Sequence, residues 1–138
     1  MSSISISLPL QPTACPRPRV SKFGTYYPKT YKDFVKRASA FIEAVYPDQI
    51  GLLQDEPLEI ECIFIFNRPD YMHAKKYPAE RVAHTKRPDV DNLVKAINDV
   101  LQATGVIKDD SQIYSLSCSK FYSAKQEGPS INIEIKKG

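Results

Sequence analysis

Apolar and polar residues alternate strictly at both ends of the chain. Ile4, Ile6 and Leu8 alternate with Ser3, Ser5 and Ser7, which predicts a half-buried strand that stops at Pro9. Ile131, Ile133 and Ile135 alternate with Asn132, Glu134 and Lys136 after a turn signal at Glu127-Gly128-Pro129, which predicts the last strand. Tyr114, Leu116 and Cys118 against Ser115, Ser117 and Ser119 predict another. The strongest strand signal runs from Leu58 to Phe66. Leu58, Ile60, Cys62, Phe64 and Phe66 share one face, while the other opens on Glu59 and Glu61 and continues as Ile63 and Ile65. A strand that becomes apolar on both faces belongs in the middle of a sheet.

Two stretches change to the helical period. From Thr30 to about Tyr46, Phe34, Ala38, Phe41, Ile42 and Val45 fall on one face; Thr30 is the expected N-cap, with Asp33 three residues on, and Pro47-Asp48 the stop. Pro88 suits the first turn of a second helix, with Val90, Leu93, Val94, Ile97, Val100 and Leu101 as its buried stripe. Gly105 is placed to end it. The order is β-α-β-α-β-β. It predicts an α/β (α+β) fold: a mixed four-stranded sheet with two helices packed on it, in a single domain over residues 1–138. Residues 9–29, with Pro9, Pro12, Pro16, Pro18 and Pro28, are expected to form an irregular loop. Residues 67–87 form a second, basic loop too long to be a mere connector.

The 138-residue length suits one buried core, and a hydrophobic fraction of 42% with 25% charged residues is ordinary for a globular protein. No apolar run is long enough to cross a bilayer, and the start MSSISISLPL lacks the features of a signal peptide. Cys15, Cys62 and Cys118 are odd in number and widely spaced, which argues for a reduced cytosolic protein without a zinc knuckle. The net charge of +3 is modest but unevenly spread. Residues 17–37 hold seven Lys/Arg against one Asp, and residues 68–87 hold six against two Asp/Glu, whereas residues 43–61 hold six Asp/Glu and no cation. Two basic segments suit a polyanionic partner, although such segments also occur as plain solvated surface.

The stretch Lys86 to Gln112, KRPDVDNLVKAINDVLQATGVIKDDSQ, carries the candidate chemistry. Asp89 and Asp91 are two residues apart, about 200° on a regular helix. They reach one ion only if Asp89 is at or before the cap and Asp91 on the first turn. The alternative is plain N-terminal capping, since the helix dipole stabilises carboxylates there. Lys95 lies four residues from Asp91 on the same face, either as a functional cation or as an ordinary helical ion pair. Asp109 and Asp110 precede a strand, either as a second acidic contribution or as turn residues. If that strand runs beside the helix start, three carboxylates and one ammonium meet, a set suited to Mg²⁺ and a substrate phosphate. Asp99 lies two turns along the helix, outside this set, and the loop residues His73 and His84 are not expected to be ligands.

RPDVDNLVKAINDVL, followed by a glycine and KDDSQI, resembles the RusA family of Holliday-junction resolvases, whose signature is D-x-D-N-L-x-K and a later D-D-x-Q. The resemblance is close over about residues 86–113 and looser in the flanks. It implies a homodimeric crossover junction endodeoxyribonuclease of DNA recombination and repair that uses Mg²⁺, with Mn²⁺ as a substitute, and resolves four-way DNA junctions by symmetric paired nicks. Such enzymes belong to bacteria, prophages and phages, hence to the cytoplasm of a bacterial or phage-infected cell. Carried over, Asp89, Asp91 and Asp110 are the metal ligands, with Asp109 the weaker candidate of its pair, and Lys95 joins them as the catalytic lysine. Arg17, Arg19, Lys22, Lys75, Lys76, Lys86 and Arg87 would hold DNA. Two other readings fit the same residues: a non-catalytic junction-binding phage accessory protein, and a broader branched-DNA nuclease. The complete acidic set argues for an enzyme, because a pure binder gains nothing by placing acids against phosphates.

Overall fold

A computed structural model describes residues 3–138; Met1 and Ser2, part of the N-terminus read above, lie outside the described residues. The strands are β1 (Ser3–Leu8), β2 (Arg19–Ser21), β3 (Gly24–Tyr26), β4 (Leu58–Phe66), β5 (Val82–Ala83), β6 (Ile113–Tyr122) and β7 (Ser130–Lys137), and the helices are α1 (Lys29–Val45) and α2 (Val90–Thr104). The main sheet has the order β1-β7-β4-β6-β5. β4 is central: it is antiparallel to β7 on one side and parallel to β6 on the other. β1 pairs antiparallel with β7 at one end and β5 antiparallel with β6 at the other.

The alternation read from the sequence sets the register. Ile4 lies opposite Ile135, which lies opposite Ile60; Ile6, Ile133 and Cys62 form the next row, and Leu8, Ile131 and Phe64 the third. A slip of one residue in any pair would turn a whole apolar set to the polar face, so burial fixes the pairing. The two helices pack against each other and contribute Phe34, Ala38, Ile42, Leu93, Ile97, Val100 and Leu101 to the same core. Each fully buried Leu or Ile contributes about 1.5–3 kcal/mol. Gly105 closes α2 in the left-handed conformation, φ 80°, where a side chain would be strained.

Three expectations change. The main sheet has five strands, because the two-residue β5 inside the basic loop pairs with Phe121 and Tyr122 at the end of β6. The proline-rich loop is not wholly irregular: β2 and β3 form a separate two-stranded hairpin, Arg19 opposite Tyr26 and Ser21 opposite Gly24. Thr30 does not cap α1, which starts at Lys29 after Pro28 with no side-chain cap. Pro28, with extended backbone at ψ 151°, takes the N-cap position two residues earlier. All three cysteines are free thiols, and burial pushes the Cys62 thiol up to about 12. Among the described residues no helix is long and apolar enough to cross a membrane.

Candidate metal centre and nucleic-acid interface

Asp89 is the N-cap of α2, with extended backbone (φ −74°, ψ 149°), and Asp91 lies in the first turn. This is the one arrangement in which the pair can share an ion. The capping alternative is not realised: the Asp89 side chain makes no cap hydrogen bond. Asp91 accepts one bond, at Oδ1 from the Asn92 N–H at 3.0 Å. Both carboxylates are exposed, and among the described residues Lys95 forms no ion pair, so the ordinary helical salt bridge is absent too.

These side chains face a cleft of about 430 Å³, with Asp89, Asp91, Asn92 and Lys95 on one wall and Cys15, Pro16, Arg17 and Pro18 on the other. The proline segment is tied in place. Cys15 N–H donates to the Asn92 carbonyl at 3.0 Å, and Tyr31 Oη donates to Asp99 Oδ2 at 2.5 Å. The Cys15 thiol points at that same oxygen, 4.0 Å away. Burial, reinforced by the bond to Asp99, pushes the Tyr31 phenol up. Asp99 therefore joins α1, α2 and the proline segment, and Arg17 enters the cleft because its neighbours are held.

A second tie comes from the sheet. Lys120, on the helix-facing side of β6, donates from Nζ to the carbonyls of Lys86 and Pro88, the latter at 2.5 Å. These two carbonyls bracket the cis Arg87–Pro88 peptide immediately before Asp89. His84 lies beneath, buried, stacked on Tyr122 at 4.2 Å and edge-on to Phe66 at 4.7 Å. Its Nδ1 accepts from the Lys86 N–H at 3.2 Å. Burial, then the charges of Lys120 and Lys86, hold the imidazole below its ordinary pKa, so it is neutral at pH 7. The sequence carries a signal for Lys120: it extends the alternation Tyr114, Leu116, Cys118 on the helix-facing side of β6 with a lysine.

The second acidic pair is elsewhere. Asp110 follows the C-terminal end of α2, where its N–H donates to Gln102 Oε1 at 3.2 Å. The 15 residues of α2 span about 22 Å at 1.5 Å per residue, so the two acidic pairs sit at opposite ends of the helix. Among the described residues no group of three His, Cys, Asp or Glu is placed to hold a metal ion. The expected meeting of three carboxylates is thus not made within one chain, because β6 starts at the far end of α2 and runs back along it. Asp109 has a local role: its Oδ2 accepts from the Ser111 N–H at 3.0 Å, and it forms a capping box with Gln112. Hydrogen bonding from Ser111 holds its carboxyl below the usual carboxylate range. Gln112 Oε1 accepts from Lys108 and Asp109, and Nε2 donates to the carbonyls of Leu53 (2.6 Å) and Glu56 (2.9 Å).

The donor set at the cleft fits a hard divalent cation. Mg²⁺ takes one or two carboxylates and keeps its remaining positions for water and phosphate oxygens. Asp89 and Asp91 offer carboxylate oxygens that the fold leaves largely unused.

The cations divide by environment. Arg68 is buried, and its guanidinium donates to the carbonyls of Ser123 (2.9 Å), Met72 (3.0 Å), Pro78 (2.7 Å) and Glu80 (2.6 Å), which folds the basic loop around it. Arg81 is paired with Glu127 at 2.6 Å. Lys75, Lys76, Lys86 and Arg87 remain exposed, as do Arg17, Arg19 and Lys22. Nothing in the sequence distinguished Arg68 from its neighbours, because its partners are main-chain carbonyls.

Residues 9–136 match the family Endodeoxyribonuclease RusA. The chain is also similar to the Uncharacterized protein YqaN of Bacillus subtilis (strain 168), 44% identical over 64 residues, which cover 45% of this chain and 42% of that protein. The similarity thus spans less than half the length of that relative.

Proposed function

The chain belongs to the RusA family of endodeoxyribonucleases, and from that premise we propose that it resolves four-way (Holliday) DNA junctions by metal-dependent paired nicks, as a homodimer. The observation that carries this reading is the pair Asp89 and Asp91, exposed at the start of α2 and facing a cleft that also holds Arg17 and Lys95. Asp89 and Asp91 would hold Mg²⁺ or Mn²⁺. Such an ion supplies Lewis-acid polarisation of the scissile phosphodiester. Lys95 brings a positive charge to where negative charge grows during in-line attack. Arg17 binds the phosphate from the opposite wall. Arg19, Lys22, Lys75, Lys76, Lys86 and Arg87 draw the arms of the substrate in by counterion release.

The position of Asp110 supports a dimer. β5 and the following His84, whose N–H donates to the Lys120 carbonyl at 3.1 Å, cover only the end of β6, so among the described residues the edge from Ile113 to Ser119 pairs with no strand. That edge exposes Tyr114 at 62% and Leu116 at 48%. An open edge with apolar side chains is a template for strand addition. Antiparallel pairing of two β6 edges would carry Asp110 of a second copy toward Lys120, and so toward Asp89. The site would then gain its third carboxylate, and an isologous pair would present two equivalent sites to a two-fold junction.

The test is cleavage of a labelled four-way junction beside a linear duplex and a flap, with Mg²⁺ or with EDTA. Symmetric, Mg²⁺-dependent nicks confined to the junction are expected. Equal cutting of all three substrates would leave a broader branched-DNA nuclease. Tight binding without cutting, in Mg²⁺ and in Mn²⁺, would leave an accessory binder.

A further inference from the structure

The β2–β3 hairpin has no work to do in the fold. Every residue of both strands, and Lys22 and Phe23 between them, is exposed. A lone two-stranded hairpin is marginal in water, and this one buries nothing to support itself. Its turn is held by Ser21, whose Oγ donates to the Gly24 carbonyl at 3.2 Å and accepts from the Phe23 N–H at 3.2 Å. Gly24 takes φ 119°, which an L side chain rarely adopts. Yet the hairpin carries two of the most exposed apolar side chains among the described residues, Val20 at 81% and Phe23 at 89%. No folded-state contact accounts for an aromatic ring at the tip. Lys22 Nζ lies 5.1 Å from that ring, and Arg19 stands on the preceding strand.

Position adds to this. The hairpin continues the segment whose Arg17 and Pro18 line the carboxylate cleft. At about 3.4 Å per residue, the turn lies on the order of 13 Å from Pro18. That is roughly four stacked base steps at 3.4 Å each. A ring with Lys22 against it at the tip and Arg19 at the base of the same hairpin, held that far from the cleft, matches a site where phosphates are bound on both sides of an unstacked step. A protein partner of ordinary composition would not need Lys22 against the ring and Arg19 on the same hairpin. DNA needs both, since the cations meet phosphates while the ring meets base faces, and base–aromatic stacking tolerates any sequence.

The geometry points to Phe23 as a wedge that enters or caps the open base step at the branch point of the DNA, with Arg19 and Lys22 on the flanking phosphates. This rests on the branched-DNA reading above and adds to it the group that would recognise the branch. Because Phe23 touches no core residue, Phe23→Ala should leave folding unaltered, which thermal unfolding checks directly.

The experiment measures binding in EDTA, where no cutting occurs, of a four-way junction and a linear duplex of the same sequence, for the wild type, Phe23→Ala and Phe23→Trp. Phe23→Ala is expected to weaken junction binding roughly tenfold, the scale of one lost stacking contact, and to leave duplex binding unchanged. Phe23→Trp should restore it. 2-Aminopurine at the branch should respond to the wild type and not to Phe23→Ala. A junction preference that survives Phe23→Ala overturns the wedge alone, as does an equal loss on both substrates or a change in oligomeric state. Equal binding of both substrates by the wild type overturns the branched-DNA reading as well.

Discussion

In the proposed reaction Asp91 would repel the phosphate that it helps to cut. Its carboxylate has a purpose only if a cation stands between it and the DNA, so Asp91→Asn should abolish cleavage while junction binding in EDTA is kept or strengthened. A single-turnover nicking assay beside a gel-shift titration reads both; nicking at the wild-type rate would falsify the ligand role. His84 gives a second residue-scale outcome. Its pKa is lowered in the folded protein by burial and by Lys120 and Lys86, whereas the unfolded side chain titrates near 6.5. As pH falls through 6.5 the unfolded state takes up a proton first, so the contribution of His84 is full above that value and is lost below it. Urea unfolding from pH 7.5 to 5.5 should show declining stability. In His84→Phe, which keeps the stacking on Tyr122, the decline should be shallower; an identical slope in both proteins removes the assignment.

Gln112 shows what the D-D-x-Q half of the motif does for the elements around it. One side-chain amide joins the turn after α2 to the carbonyls of Leu53 and Glu56, ahead of β4. The side chain makes four hydrogen bonds, and at a net ~0.5–1.5 kcal/mol for each Gln112→Ala should cost about 2–6 kcal/mol, read as a lower urea midpoint with an unchanged slope. A loss under 0.5 kcal/mol would mean that water replaces it. The elements themselves were legible from the sequence, because burial on one face enforces period two in β1, β4 and β7 and the helical period in α1 and α2. The site was half legible. Asp89 and Asp91 follow from a helix start, and a helix start has local signals. The distance to Asp110 depends on which end of α2 meets β6. Lys120, Arg68 and Asp99 act through main-chain carbonyls or partners far along the chain. β2–β3 and β5 were missed for the opposite reason: they bury too little to leave a pattern.

At the scale of the whole molecule, the exposed cations would, if they hold DNA as proposed, set how binding responds to salt. Lys76→Ala and Arg87→Ala should each lower the slope of log K against log salt by about one, since each removes one phosphate contact. Binding unchanged at every salt concentration would exclude those residues from the interface. The separation of Asp89 and Asp91 from Asp110, about 22 Å along α2, permits a sharper test. In a site shared between copies, Asp91→Asn and Asp110→Asn homodimers are each inactive, because both of their sites are broken. Mixing them gives heterodimers in which one site holds both lesions and the other holds none. Activity should therefore return on mixing, as a nick in one strand of each junction rather than two. In a site built within one chain, every site in the mixture stays broken and no activity returns. The rate of recovery should follow subunit exchange, which labelled copies of the two variants report independently. Persistent inactivity after exchange is complete would exclude the shared site and send the search for the third ligand elsewhere in the cleft.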